Sequence, residues 1–157
     1  MTGGGSSLPE VRALLRVLAA GRDVAEIGTA FGEGAAAMSE TARSVVTVER
    51  DPERARVARA RLAGLANVEL LEGDWRQELR GRGPFGLFFF DAGPAYDLDA
   101  ALALLEPGGL LVKDDLTPGR PVEGDPVREL LLRDGRLAAA EILTTPASAA
   151  IVAVKRS

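Results

Sequence analysis

From residue 24 to about residue 134 the chain alternates short apolar segments with segments of helical pattern. Strands separated by helices of this length close into an open parallel sheet covered on both faces. The apolar segments are "DVAEIG", "SVVTVERD", "NVELLEGD", "GLFFFDAG" and "LLVKDD". Between and around them lie the helix-patterned stretches from Pro9 to Ala20, "AAAMSETA", "PERARVARARLAGL", "YDLDAALALLEPGG" and "VRELLLRDG". Pro9 and Pro52 open two of these, where the missing N–H costs nothing. The fourth strand is apolar throughout, as expected of one buried on both faces, so Phe88, Phe89 and Phe90 are read as core. The tail "AAEILTTPASAAIVAVKRS" reads as two strands around a Pro-containing turn, an antiparallel hairpin. The expected fold is α/β: a doubly wound, mostly parallel seven-stranded sheet with an antiparallel C-terminal hairpin strand. Residues 1–8, rich in Gly and Ser, are read as a flexible leader and residues 9–157 as one domain.

Open sheets of this kind bind ligands at the carboxyl ends of their strands. Those ends are Glu26–Gly28, Glu49–Asp51, Gly73–Asp74, Asp91 and Lys113–Asp115. One or two strand-end acids are ordinary turn chemistry. Five along one rim describe an acidic site. The chain has no His and no Cys, which excludes Ser-His-Asp triads, imidazole bases, thiol nucleophiles and the usual zinc sites. Its net charge is −4 and its arginines form no binding patch, so no nucleic-acid partner is expected. No apolar run is long enough to span a bilayer, and the start "MTGGGSSLPE" lacks the regions of a signal peptide. The expectation is a cytoplasmic protein with no membrane partner.

The loop "EIGTAFGEG" narrows the ligand. A dinucleotide turn needs G-x-G-x-x-G, but here Gly28 is followed by Ala30, and Glu33 stands at the third glycine position. A phosphate would meet Glu26 and Glu33, and the phosphate-loop pattern G-x-x-x-x-G-K-[ST] is absent. Glu49, about 20 residues beyond the loop, is where an acid takes ribose hydroxyls. Asp74 is placed to receive an exocyclic amine such as that of adenine, and Trp75 offers a ring for stacking or, equally, for core packing. A ligand with ribose, adenine, positive charge and no phosphate fits this set. S-adenosylmethionine is such a molecule.

At this point the chain resembles a class I S-adenosylmethionine-dependent methyltransferase, and within that class the catechol O-methyltransferase-like family. The resemblance rests on "VAEIGTAFGEGAAAMSE", "VVTVERDPERARVARARL", "VELLEGDW", "FGLFFFDAGPAYDLDAALALLEPGGLLVKDDL" and the closing "VRELLLRDGRLAAAEILTTPASAAIVAVKRS". It runs from about residue 9 to the end and implies a Rossmann-like fold. It implies that Glu26, Gly28, Thr29, Ala30 and Gly32 line the methionine end of the cofactor and that Glu49 holds the ribose. Asp74 and Trp75 would lie at the adenine, with Arg50, Gly73 and Asp91 completing the cofactor set. It further implies that Asp91 is catalytic and, with Asp114 and Asp115, holds a divalent cation, Mg²⁺, which suits oxygen ligands. Asp115 stands where the family has Asn.

The family's general-base Lys, three residues after the first metal Asp, is replaced here by Pro94. Lys113 is not promoted to that role, because neighbouring side chains on a strand face opposite ways. Tyr96 is a candidate for substrate contact or for packing at a helix start. The implied activity is O-methylation of a small hydroxylated molecule, with a homodimer as a candidate assembly. Two alternatives stand beside it: a cofactor-binding protein of the same fold without catalysis, and a nucleic-acid or protein methyltransferase. Against the last, the N-P-P-Y type tetrapeptide of amino-methylating enzymes is missing after the fourth strand.

Overall fold

Residues 7–91 and 97–157 are described in this computed structural model. Their strands are β1 (Asp23–Ile27), β2 (Ser44–Glu49), β3 (Val68–Glu72), β4 (Phe85–Phe90), β5 (Leu105–Leu116), β6 (Leu137–Thr145) and β7 (Ser148–Lys155). They form a seven-stranded sheet in the order β3-β2-β1-β4-β5-β7-β6. The first five pair in parallel, while β7 lies antiparallel between β5 and β6. This is the mostly parallel, doubly wound sheet with an antiparallel hairpin strand that the alternation of segments predicts.

Two apolar layers cover the sheet. One face packs Val24, Val45, Leu87, Phe89 and Val112 against α1 (Pro9–Ala19), α2 (Glu33–Ser39) and α3 (Pro52–Leu62). The other packs Ala25, Phe88, Phe90, Leu111 and Ile151 against α4 (Trp75–Glu78), α5 (Leu98–Leu104) and α6 (Pro126–Arg133). Alternate residues of each strand serve alternate layers, the period-2 geometry of a pleated strand. All six residues of β4 are buried, because β4 is central and each side chain meets helices on one face or the other.

Carboxylates start most of the later helices. Asp51, Asp74, Asp97 and Asp125 accept first-turn backbone N–H groups of α3, α4, α5 and α6. These are donors a helix cannot satisfy internally.

Three boundaries differ from the sequence reading. The helix α4 has four residues and no period of its own, so no apolar pattern announces it. Strand β5 begins at Leu105 rather than Leu110: Leu105 pairs with Phe85, and a register irregularity follows between Phe85 and Leu87. The segment Pro107–Gly109 therefore lies within β5, with Gly108 at φ +77°, and not at a helix end. Of the expected leader, residues 1–6 lie outside the described residues. Ser7 is already buried and its carbonyl accepts from the Arg12 guanidinium.

Candidate functional site

Strand alternation builds the site. On β1, β2, β4 and β5 the face that carries Val24, Val45, Phe89 and Val112 inside the core carries Glu26, Glu49, Asp91 and Asp114 at or just past the carboxyl ends. Register aligns them: Glu26 is opposite Thr47 on one side and Phe89 on the other, and Phe90 is opposite Lys113. The Asp91 N–H donates to the Ile27 carbonyl at 2.9 Å, carrying the β1–β4 pairing one residue further. Apolar residues below and carboxyls above thus share one face of four adjacent strands.

Glu49 is 6% exposed and its carboxylate is held by two backbone amides. The Ala30 N–H donates to Oε2 and the Asp51 N–H to Oε1, each at 2.9 Å. A carboxylate oxygen has two acceptor sites, so each keeps one for a ligand hydroxyl. The first of these amides is presented by a turn with three residues at positive φ, Gly28 (+89°), Ala30 (+50°) and Gly32 (+87°). Glycine is needed at two of them because a side chain is strained there. At Gly32 a Cβ would also press on Leu62.

Glu26 is 1% exposed. Thr47 Oγ1 donates to its Oε1 at 2.6 Å, and Thr29 Oγ1 lies 2.6 Å from Thr47 Oγ1. Burial pushes the Glu26 carboxyl up to about 8, opposed by the Thr47 hydrogen bond. Helix α2 approaches so closely that a Cβ at Gly34 would lie 2.4 Å from Glu26 Oε2.

Asp91 and Asp114 lie close enough that each shifts the titration of the other. Burial raises both above the ordinary carboxylate range. Asp114 adds to the rise at Asp91, while the Lys113 ammonium opposes it at both. Lys113 is buried and donates to the Asp114 main-chain carbonyl at 2.8 Å. Asp114 Oδ1 is buried with no hydrogen-bond partner. A buried acceptor left open beside a second carboxyl is the donor chemistry of a small oxygen-seeking cation. Asp115 does not join them: it is exposed, at φ +63°, where the β5–β7 register is interrupted between Lys113 and Leu116. Among the described residues no group of three acids is arranged to hold a metal. The interrupted register sets Asp115 apart from the other two.

At the adenine end Trp75, for which stacking and core packing were both open, packs in the core. It packs edge-on against Phe88 and Phe90, with centroids 5.6 Å away in both cases, and carries the Arg76 guanidinium 5.3 Å from its own ring centroid. Helix α4 turns the ring into the layer under the rim. Asp74 caps that helix through the Arg76 N–H at 2.9 Å and pairs with the Arg76 side chain at 3.5 Å. Gly73 sits beside it at φ +150°, donating its N–H to the Glu49 carbonyl at 2.9 Å, while Arg50 is exposed. Pro94 and Tyr96 lie outside the described residues. Missed from sequence were Thr47 and Gly34. The signal for Thr47 was present, a hydroxyl between two valines in "VVTVE", but its partner on another strand was not.

Known proteins resemble this chain in sequence and in fold. The chain is 41% identical over 118 residues to a protein-L-isoaspartate O-methyltransferase of Rhodopseudomonas palustris, covering 74% of this chain and 51% of that protein. The chain thus spans about half the length of that curated relative. An O-methyltransferase of Streptomyces achromogenes, TomG, solved with S-adenosylmethionine, superposes with a TM-score of 0.76 at 26% identity, covering 98% of this chain and 82% of that one. An O-methyltransferase of Bacillus cereus solved with S-adenosylhomocysteine gives 0.78 at 25% identity, covering 99% and 84%. No helix among the described residues is long and apolar enough to cross a membrane. Residues 25–116, which span the glycine turn and all four carboxylates, match the methyltransferase domain model; the chain belongs to that family, with the fold of class I S-adenosylmethionine-dependent methyltransferases.

Proposed function

We propose that this chain transfers the methyl group of S-adenosylmethionine to a hydroxyl oxygen of a small molecule. The observation that carries the reading is the row Glu26, Glu49, Asp91 and Asp114 on one sheet face. It offers carboxyl oxygens as acceptors to a ligand bearing a ribose diol, a cationic sulfur and an ammonium group. Glu49, braced by the Ala30 and Asp51 amides, binds the ribose hydroxyls. Glu26 and the Gly28–Gly32 turn face the methionine end.

In the reaction the acceptor oxygen attacks the methyl carbon, the carbon–sulfur bond breaks and its electron pair stays on sulfur, giving S-adenosylhomocysteine. The hydroxyl proton passes to Asp91 in its ionised form; burial and Asp114 raise that carboxyl, so the form able to accept the proton grows as pH rises. The protein's main contribution is to hold the two reactants in line at van der Waals distance. A divalent cation would be held by Asp91 and Asp114, the latter through its open Oδ1, and would supply acidity to the acceptor hydroxyl.

A second reading, carboxyl methylation of isoaspartyl residues in proteins, is favoured by the identity of the curated relative. Both readings are tested by one experiment: S-adenosylhomocysteine release from S-adenosylmethionine with a small diol or with an isoaspartyl peptide, each with Mg²⁺ and with chelator. Turnover of the diol supports the proposal, and turnover of the peptide alone replaces it with the second reading. No turnover of either, with S-adenosylmethionine bound, supports a cofactor-binding protein without catalysis. Equal rates with chelator remove the cation.

A further inference from the structure

Thr47 is a hydroxyl residue with no exposed surface, flanked on its strand by Val46 and Val48. Thr47 is given no contact with the ligand by the cofactor reading. It does touch two residues that the reading does assign, Glu26 on β1 and Thr29 in the glycine turn, at 2.6 Å each. A hydroxyl has a single hydrogen. Thr47 spends it on Glu26 Oε1, so the contact with Thr29 is made by the Thr29 hydroxyl donating to Thr47 Oγ1. The chain of bonds therefore runs Thr29 to Thr47 to Glu26, and every donor in it has an acceptor. Glu26 Oε2, on the opposite side of the carboxylate, is crowded by the Gly34 backbone.

We propose that Thr47 is a positioning residue for the cofactor site: its hydroxyl joins the glycine turn to the Glu26 carboxylate and fixes both in their binding geometry. The inference rests on the cofactor reading given above. It differs from a plain core role, because the methyl of Thr47 fills space while the hydroxyl sets the orientation of two groups that face the ligand. Without the hydroxyl, Glu26 keeps its burial but loses its donor, and Thr29 loses its acceptor. A buried acceptor left unmade costs more than the bond is worth when made, so Glu26 and Thr29 rearrange toward other partners.

The test compares Thr47→Val, which keeps the shape and removes the hydroxyl, with Thr47→Ser, which keeps the hydroxyl and removes the methyl. Affinity for S-adenosylmethionine is measured by titration calorimetry on the full chain, alongside thermal melts. Thr47→Val is expected to weaken binding about tenfold, the size of one lost buried hydrogen bond, and Thr47→Ser to stay within about threefold of the parent. Should Thr47→Val fold poorly, Thr29→Val, which removes only the first donor, is expected to weaken binding in the same direction with the melt unchanged. Equal affinity in Thr47→Val and the parent, or a loss in Thr47→Ser as large as in Thr47→Val, overturns the proposal, and so does Thr29→Val binding as tightly as the parent. A parent chain that binds no S-adenosylmethionine overturns the cofactor reading and this inference with it, an outcome distinct from the others because it appears before any substitution is made.

Discussion

Replacing Arg128 by Met tests where the stability of the C-terminal half resides. Arg128 lies on α6 with its side chain 1% exposed, yet it carries a full charge. Its Nε and NH2 donate to the Glu141 carboxylate at 2.8 and 2.7 Å, its NH1 to Asp125 at 2.6 Å, and its NH2 also to the Thr117 carbonyl at 2.7 Å. One guanidinium thereby ties α6 to β6 and to the segment that follows β5. Removing one partner of a buried ion pair costs about 3–5 kcal/mol when the other is left buried. Here Asp125 and Glu141 remain 18% and 25% exposed and recover some hydration, so a loss of about 2–4 kcal/mol is expected. For a chain of this size about 3 kcal/mol lowers the melting temperature by roughly 6–12 °C. The control is Arg133→Ala: that side chain is half exposed, pairs with exposed Glu123 and Glu129, and its loss is expected to cost less than about 1 kcal/mol. The two variants are compared by thermal and urea unfolding. An Arg128→Met loss no larger than that of Arg133→Ala refutes the reasoning. The pH dependence gives a second check. The Arg128 guanidinium holds Glu141 below the usual carboxylate range, and Asp125 is held there first by the Arg128 backbone N–H and then by the guanidinium. Groups depressed in the folded state add stability above their ordinary values and lose it as pH falls through the depressed ones. The parent therefore loses stability below about pH 4, and Arg128→Met loses less over that window.

Three further outcomes are expected. Glu49→Ala weakens S-adenosylmethionine binding by more than about tenfold, and Glu49→Gln also weakens it, since an amide NH2 would face one of the two N–H groups that now brace the carboxylate; calorimetry decides, and parent-like affinity in both variants removes Glu49 from the ribose site. Gly34→Ala lowers the melting temperature although alanine is the better helix former by about 1 kcal/mol, because the new Cβ meets a carboxylate with no free space to move into, an overpacking cost of about 1–3 kcal/mol; a higher melting temperature would count against that contact. Glu26 is raised from 4.5 to about 8 by burial, so the protonated form is favoured in the folded chain: its contribution to stability is complete below 4.5 and lost as pH rises toward about 8. Ligand-free melts across that range should show the decline, and Glu26→Gln should flatten it.

The parts of the fold that depend on local pattern were legible. The segments that became β1, β2 and β4 declare themselves by apolar runs bounded by turn residues, and the acids at their ends by position alone. That Glu26, Glu49, Asp91 and Asp114 share one face follows from the period of two once the parallel order is assumed. What was not legible depends on contacts between distant segments. Trp75 has the same local sequence whether its ring stacks on a ligand or on Phe88 and Phe90; the turn made by α4 decides it, and four residues carry no period. Asp74 could cap a helix or meet a ligand, since both uses select a short carboxylate after a strand. Asp115 differs from Asp114 only through a register interruption set by β7, more than 30 residues away in the chain. Thr47 was visible as an oddity, and its meaning lay on β1.

The strand order places β1 beside β4, and the ligand face draws on β2, β1, β4 and β5 together. Glu26 and Asp91 are neighbours in space but far apart along the chain, so the rim is complete only once these long-range pairings have formed. Contacts of such sequence separation form late and slowly. Occupancy of the rim is therefore a report on global folding, and a rim ligand works against complete unfolding rather than local fraying. At a concentration one hundred times its Kd such a ligand adds about 2.7 kcal/mol, comparable to the loss expected from Arg128→Met. A destabilised variant of this chain should regain much of its abundance in the presence of its own cofactor.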